Sequence, residues 1–224
     1  MDQANSATEQ EQATVRILII DDHEILAASL AHVLDAEPDL ETVGIAGSLE
    51  RGRVLVTETE PDVLLLDHRL PDGDGVEAIE GLLADHPEIQ VVVLTASGGD
   101  NVLVSAIEKG AAGFVSKTSG VADVTSAVRA AAAGEAVISP EMLARLLPRL
   151  RRGQSQGRHS LTTREREVLD LVAEGLTNAA IADRLVVSVH TVRNHIANLS
   201  TKLDAHSKLE ALSIALREGL LSES

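Results

Sequence analysis

The chain has 224 residues, a formal net charge of −16, 44% hydrophobic residues and no Cys, Trp or Tyr. That is enough apolar material for two cores. It excludes disulfides, thiolate metal sites and a cysteine nucleophile, and with Phe114 as the sole aromatic it excludes base stacking on aromatic platforms. No apolar run approaches the roughly 20 residues of a membrane span and the N-terminus carries no hydrophobic signal segment, so the chain reads as soluble, cytoplasmic and without a membrane partner.

The charge is unevenly spread. Residues 1–150 hold 26 acids against 9 bases, whereas residues 151–224 hold 9 against 10, with no acid between Arg184 and Leu203. An acidic module joined to a near-neutral one with a locally basic helix points to two functions in one chain.

Residues 1–14 are polar and aperiodic and are read as a disordered tail. Val15–Ile20 is then a buried strand with Asp21-Asp22-His23 as its rim loop, followed by a helix carrying Ile25, Leu26, Leu30, Val33 and Leu34. A second strand spans Thr42–Ala46, and Ser48 caps a helix to about Thr59. Val63–Leu66 is a strand buried on both faces that delivers Asp67 to a sheet rim. Asp74-Gly75-Val76-Glu77 starts the next helix in the manner of a capping box. Ile89–Leu94 is the fourth strand, and paired glycines make the loop Thr95-Ala96-Ser97-Gly98-Gly99 mobile. A helix from about Asp100 to Lys109, a fifth strand Ala112–Val115, Lys117 and a helix from about Ser119 to Ala133 complete residues 15–134. Five strands alternating with five helices predict an α/β fold, a doubly wound parallel sheet.

Residues 135–160 read as a linker with a short helix begun by Ser139-Pro140-Glu141, then a flexible stretch Arg151–Arg158. Residues 161–224 predict a small all-α domain of four helices. Thr162–Glu165 and Ser207–Glu210 form capping boxes, and Gly175 and Gly219 stand at helix ends. Short helices joined by tight turns suit a helix-turn-helix.

In such a sheet Asp21, Asp22, Asp67, Thr95 and Lys117 converge on the rim at the carboxyl ends of the strands, where ligands bind in open α/β folds. Three close carboxylates repel one another until a divalent, oxygen-liganded ion relieves them, and Mg²⁺ is the natural candidate. A carboxylate beside Mg²⁺, a hydroxyl and an ammonium is equipped to attack a phosphoryl group in line.

Asp21-Asp22-His23, Leu65-Leu66-Asp67-His68-Arg69-Leu70-Pro71-Asp72-Gly73, Thr95-Ala96 and Lys117 with Phe114 resemble the flavodoxin-like receiver domain of bacterial two-component response regulators. The resemblance implies that Asp67 is the phosphoacceptor, served by a sensor histidine kinase. It implies that Asp22, Asp67 and the Arg69 carbonyl bind Mg²⁺ directly and Asp21 through water. Thr95 and Lys117 would contact the phosphoryl oxygens, and Phe114 would swing inward as Thr95 moves. His68 departs from the apolar residue usual beside the phosphoacceptor; of tuning phosphoryl lifetime and merely facing solvent, the second is the reading taken.

The helix from Ser188 carries Val189, Val192, Ile196, Leu199 and Leu203 as one buried stripe, which leaves His190, Thr191, Arg193, Asn194, Ala197, Asn198 and Thr201 facing outward without an acid. Arg addresses guanine and phosphate, Asn addresses adenine, and Thr contacts phosphate or the thymine methyl. Leu161–Leu169, Gly175–Asn178, Ile181-Ala182, Ser188–His195 and Lys202-Leu203 resemble the LuxR-type helix-turn-helix, so the whole chain is similar to the NarL/FixJ transcription regulators. That resemblance implies promoter DNA contacted by His190, Thr191, Arg193, Asn194, Asn198 and Lys202, and a homodimer built on Leu209, Leu212 and Leu216. Ala179-Ala180 and Ala197 stand where basic or capping residues are usual, which weakens backbone affinity and predicts reliance on dimer binding to paired half-sites.

Two rivals share these residues. A phosphohydrolase using Asp67 as nucleophile wants a second acid two residues on, where Arg69 stands; a receiver-like module that is never phosphorylated would be set by partner binding alone.

Overall fold

The computed structural model describes residues 14–96, 99–150 and 161–221. The tail expected before residue 14, the centre of the 95–99 loop at residues 97–98, expected to be mobile, and the stretch 151–158, expected to be flexible, lie outside the described residues. Five strands, β1 (Val15–Ile20), β2 (Leu40–Ala46), β3 (Val63–Asp67), β6 (Gln90–Thr95) and β7 (Gly113–Ser116), form one sheet in the order β2-β1-β3-β6-β7, every pair parallel.

The alternation of side chains along a strand explains why both faces are covered. Ile17, Ile19, Val63, Leu65, Val92 and Leu94 point to one side and pack on α1 (Glu24–Leu34) and α5 (Val121–Ala132). Leu18, Ile20, Leu64, Leu66, Val91 and Val93 point to the other and pack on α2 (Leu49–Thr59), α3 (Gly75–Asp85) and α4 (Asp100–Glu108). This is the doubly wound architecture the alternating elements predict.

Two short elements were not legible. β4 (Arg69–Leu70) and β5 (Gly73–Asp74) pair as an antiparallel ribbon immediately after Asp67. Pro71-Asp72 forms its turn, and both Asp72 carboxylate oxygens accept from the first amides of α2, Leu49 and Glu50, each at 2.9 Å. The start of the linker is also not free: Val137 bridges Gly113 in parallel and accepts from the Phe114 amide at 2.8 Å. A Cβ on Gly113 would lie 2.2 Å from the Val137 carbonyl, so glycine alone permits that edge contact.

Beyond it, α6 (Pro140–Leu150) buries Leu143, Leu146 and Leu150. The last domain contains α7 (Thr163–Ala173), α8 (Asn178–Leu185), α9 (Val189–Leu203) and α10 (Lys208–Arg217), the four predicted helices. Thr162 and Glu165 close a reciprocal capping box. At α10 the second predicted box is half made: Ser207 caps the Glu210 amide, but the Glu210 carboxylate accepts from His206 instead of Ser207. The apolar cluster on the α3–α4 side of the sheet continues without a break through α6 into the helical domain, because α10 packs on α4, α6, α7 and α9 together.

Candidate functional sites

The rim of the sheet gathers the charged side chains that the strand ends deliver. Asp21 follows β1 and Asp67 ends β3; both are buried, and each places a carboxylate oxygen 2.7 Å from the Lys117 ammonium, which follows β7. Burial draws the Lys117 pKa down, but the two carboxylates outweigh it and hold it above the ordinary lysine value. Asp22 stays exposed beside them, and His23 places Nδ1 3.0 Å from Asp21 and 2.8 Å from Asp22.

Oxygen ligands of Asp21, Asp22 and Asp67, with His23 as a fourth group, lie within 4.8 Å of one another. A donor set dominated by carboxylates fits a hard divalent cation such as Mg²⁺. Arg69 lines the same cavity, of about 240 Å³, with His23, Asp67, His68, Ala96 and Lys117.

Thr95 reaches this rim through register: Leu94 pairs with Asp67, Thr95 pairs with Ser116, and the Lys117 amide donates to the Thr95 carbonyl at 2.8 Å. Its buried Oγ1 has no hydrogen-bond partner among the described residues. Phe114 is already buried in the core on the α4 side of the sheet.

His68 does not face solvent as expected. Its side chain is 13% exposed, and Nδ1 lies 3.4 Å from the Asp67 carboxylate. The cause is the ribbon that follows: His68 donates its amide to Leu94 and accepts from the Gly75 amide at 3.0 Å, which turns the ring inward.

Gly75 was missed as a determinant of this rim. A Cβ there would lie 2.0 Å from the Asp67 carbonyl, so α3 reaches the strand end only because its first residue is glycine. A glycine directly after an N-cap Asp, where helix propensity argues against it, was the available signal.

On the second domain α9 exposes His190, Arg193, Asn194, Ala197, Asn198 and Thr201, with Thr191 half-buried. The stripe behind them is shorter than predicted. Val192, Leu199 and Leu203 are buried and Ile196 is half-buried, but Val189 stands in the first turn at 38% exposure, beyond the reach of the core. Lys202, expected at the DNA, is exposed and places its ammonium 2.7 Å from Glu165, the α7 capping residue.

Two comparisons decide the family. Residues 17–129 match the response regulator receiver domain, and residues 159–215 match the bacterial regulatory proteins of the luxR family. The transcriptional regulatory protein LiaR of Bacillus subtilis is 38% identical over 210 residues, 93% of this chain and 100% of LiaR. The chain belongs to the NarL/FixJ response regulators.

The mycobacterial transcriptional activator DevR/DosR is 36% identical to this response regulator over 204 residues, 90% of this chain and 94% of that one. Among solved structures, the RcsB response regulator of Salmonella typhimurium is similar at 26% identity and a TM-score of 0.55, covering 93% of this chain and 98% of its own. A LuxR-family response regulator from Aurantimonas sp. SI85-9A1 covers 61% of this chain and 98% of its own at 28% identity and a TM-score of 0.57. Its relatives are transcription regulators, and this chain is one as well.

In this regulator the two domains are docked. Lys208, at the start of α10, donates to Glu135 at 3.1 Å, to the Leu176 carbonyl at 3.1 Å and to Asn178 at 2.9 Å. The Glu135 carboxylate also accepts from the Asn178 amide at 2.8 Å, capping α8 from the receiver side. Burial pulls the Lys208 ammonium below the usual lysine value, against the Glu135 charge. Ser207 donates to the Ala111 carbonyl at 2.9 Å, and Arg145 and Arg149 of α6 both reach Asp100, the first residue of α4.

This docking bears on the expected dimer stripe. Leu209, Leu212 and Leu216 are buried, because α10 is sandwiched between its own domain and α4, so they offer no open stripe to a second copy in this arrangement. Among the described residues no helix is long and apolar enough to cross a membrane.

Proposed function

We propose that this regulator accepts a phosphoryl group on Asp67 from a partner sensor histidine kinase and thereby gains affinity, as a dimer, for promoter DNA. The observation that carries the first half is the placement of one lysine ammonium 2.7 Å from two buried carboxylates of different strands, at the rim where an open sheet binds ligands. An oxygen of Asp67 attacks phosphorus, the bond from phosphorus to the donor nitrogen breaks, and its electron pair leaves with the donor imidazole. Lys117 exchanges carboxylate contacts for phosphoryl oxygens, and the Thr95 hydroxyl, without a hydrogen-bond partner among the described residues, donates to another. Asp21, Asp22 and Asp67, with the Arg69 carbonyl, would hold Mg²⁺, which supplies charge neutralisation at the phosphoryl oxygens.

The docked arrangement supports the second half. Arg193, Ala197 and Ser200 of α9 border a cleft of about 700 Å³ whose receiver wall carries Glu60, Asp62 and Glu88. A phosphodiester backbone brought to His190, Thr191, Arg193, Asn194 and Asn198 meets like charge there, so DNA binding and docking exclude each other. Movement of Thr95 and Phe114 shifts α4, on which α10 sits, and frees α9 for DNA together with the face of α10 that packs on α4. The relatives' role as transcription regulators supports a cytoplasmic setting for this activity.

The test is to incubate the full chain with Mg²⁺ and acetyl phosphate and weigh it. One added phosphoryl group, absent from Asp67→Asn, is expected; no gain, or a gain that survives the substitution, removes the mechanism. DNA affinity equal with and without phosphorylation would favour an interaction module governed by partner binding, and genome-wide mapping of bound DNA would identify the operator.

A further inference from the structure

His68 is a half-buried imidazole whose Nδ1 is buried and has an unfilled hydrogen bond among the described residues. Its side chain is 13% exposed, and Nδ1 has no partner among the described residues although it stands 3.4 Å from the Asp67 carboxylate. The proximity is fixed by the backbone on both sides. The His68 amide donates to Leu94 at 3.4 Å and its carbonyl accepts from Gly75 at 3.0 Å, so the ring is carried by the ends of β3, β6 and α3 and not by a loose loop. An unsatisfied buried polar atom is destabilising and calls for an explanation.

The ring also forms part of the wall of the cavity of about 240 Å³ that holds Asp67 and Lys117. That cavity is where a phosphoryl group on Asp67 would project. Its oxygens are acceptors, and an imidazole carrying its proton on Nδ1 is a donor. At this rim the Thr95 hydroxyl and His68 Nδ1 have no hydrogen-bond partner among the described residues, whereas Asp21 Oδ2 is held by Lys117, and a phosphoryl group would satisfy the first two.

We infer that His68 is a contact residue for the phosphoryl group: its Nδ1–H donates to a phosphoryl oxygen and prolongs the life of phospho-Asp67. The inference rests on Asp67 being the acceptor. Loss of the group is attack by water: a bond forms from the water oxygen to phosphorus, the bond from phosphorus to the Asp67 oxygen breaks, and its electron pair returns to the carboxylate. The water's proton leaves with inorganic phosphate or solvent. Phosphorus moves away from Asp67 as this happens, and a donor anchored on the Asp67 side is stretched as it goes. The bond therefore favours the phosphorylated state over its decay.

The experiment compares wild type, His68→Leu and His68→Gln as full chains, phosphorylated with acetyl phosphate and Mg²⁺, freed of donor and followed by intact mass. His68→Leu is expected to shorten the phosphoryl half-life about fivefold, the effect of one neutral hydrogen bond. His68→Gln, which keeps a neutral donor, is expected to recover at least half of that loss, a rescue that a packing role alone does not give. An unchanged or longer half-life in His68→Leu, or no difference between the two variants, overturns the inference while leaving Asp67 as acceptor. No mass gain in wild type overturns both readings.

Discussion

The rim pocket and the seam between the domains are both built from charged side chains buried beside apolar ones, yet they end in opposite states. At the rim, three carboxylates face one ammonium, and a hydroxyl and an imidazole nitrogen remain unpartnered. At the seam, Lys208 spends its donors on Glu135, Asn178 and Leu176 and Ser207 finds Ala111, while Asn178 Nδ2 and Ser213 Oγ of α10 have no hydrogen-bond partner among the described residues. The rim opens on a cavity lined by Asp67, His68 and Lys117, whereas the seam's ammonium is matched by its own neighbours. The difference assigns input to the first region and restraint to the second.

The largest effect should come from the rim's geometric support. Gly75→Ala forces a Cβ against the Asp67 carbonyl and should cost about 3 kcal/mol in urea denaturation. Gly47→Ala, with nothing within 4 Å of its Cβ, serves as the neutral control. If both behave alike, the rim is not held by that close approach.

Next is the seam. Glu135→Ala leaves the Lys208 ammonium buried without its counter-charge and should weaken docking by about 2 kcal/mol. The checks are a larger radius of gyration by small-angle X-ray scattering and tighter DNA binding without phosphorylation. Unchanged scattering would dissolve the contrast between the two regions.

A third change touches the helical domain but neither region. Burial raises the Glu165 carboxyl, but the Lys202 ammonium and the Thr162 amide more than offset it and hold its pKa below the ordinary 4.5. Its contribution is therefore fully present above 4.5 and is lost as pH falls through the lower folded value. Glu165→Gln should cost about 1 kcal/mol near neutrality, with the two stability curves converging from about pH 5 downward. Parallel curves would reject the assignment.

The smallest effect is a gain. Val186, 90% exposed, ends α8 with φ at +53°, a left-handed conformation that a β-branched side chain adopts under strain. Val186→Gly should raise the melting free energy by about 0.5–1 kcal/mol without altering docking.

Much of the rim was legible because each contributing residue is announced locally. A short apolar run ending in Asp, or a Thr or Lys just past a strand, is read without knowing what lies opposite, and parallel connectivity carries the ends to one edge. The ribbon after Asp67 was not legible, since two-residue strands leave no period to count. That ribbon is what turned His68 inward. The helical domain was legible in its caps, but the reading of α10 failed at its environment: a stripe of leucines looks the same whether it faces solvent, a second copy or the receiver.

From residue order alone came the strand ends, the helix caps, the alternation that winds the sheet on both faces, and the family. These depend on spacings of two to four residues, which the backbone converts directly into shape. Tertiary packing alone decided that Glu135 meets Lys208 across 73 positions of chain, that α10 lies on α4, and that a histidine beside the acceptor is enclosed. Ion pairs and buried donors take their strength from desolvation by distant neighbours, and no local pattern records who those neighbours will be.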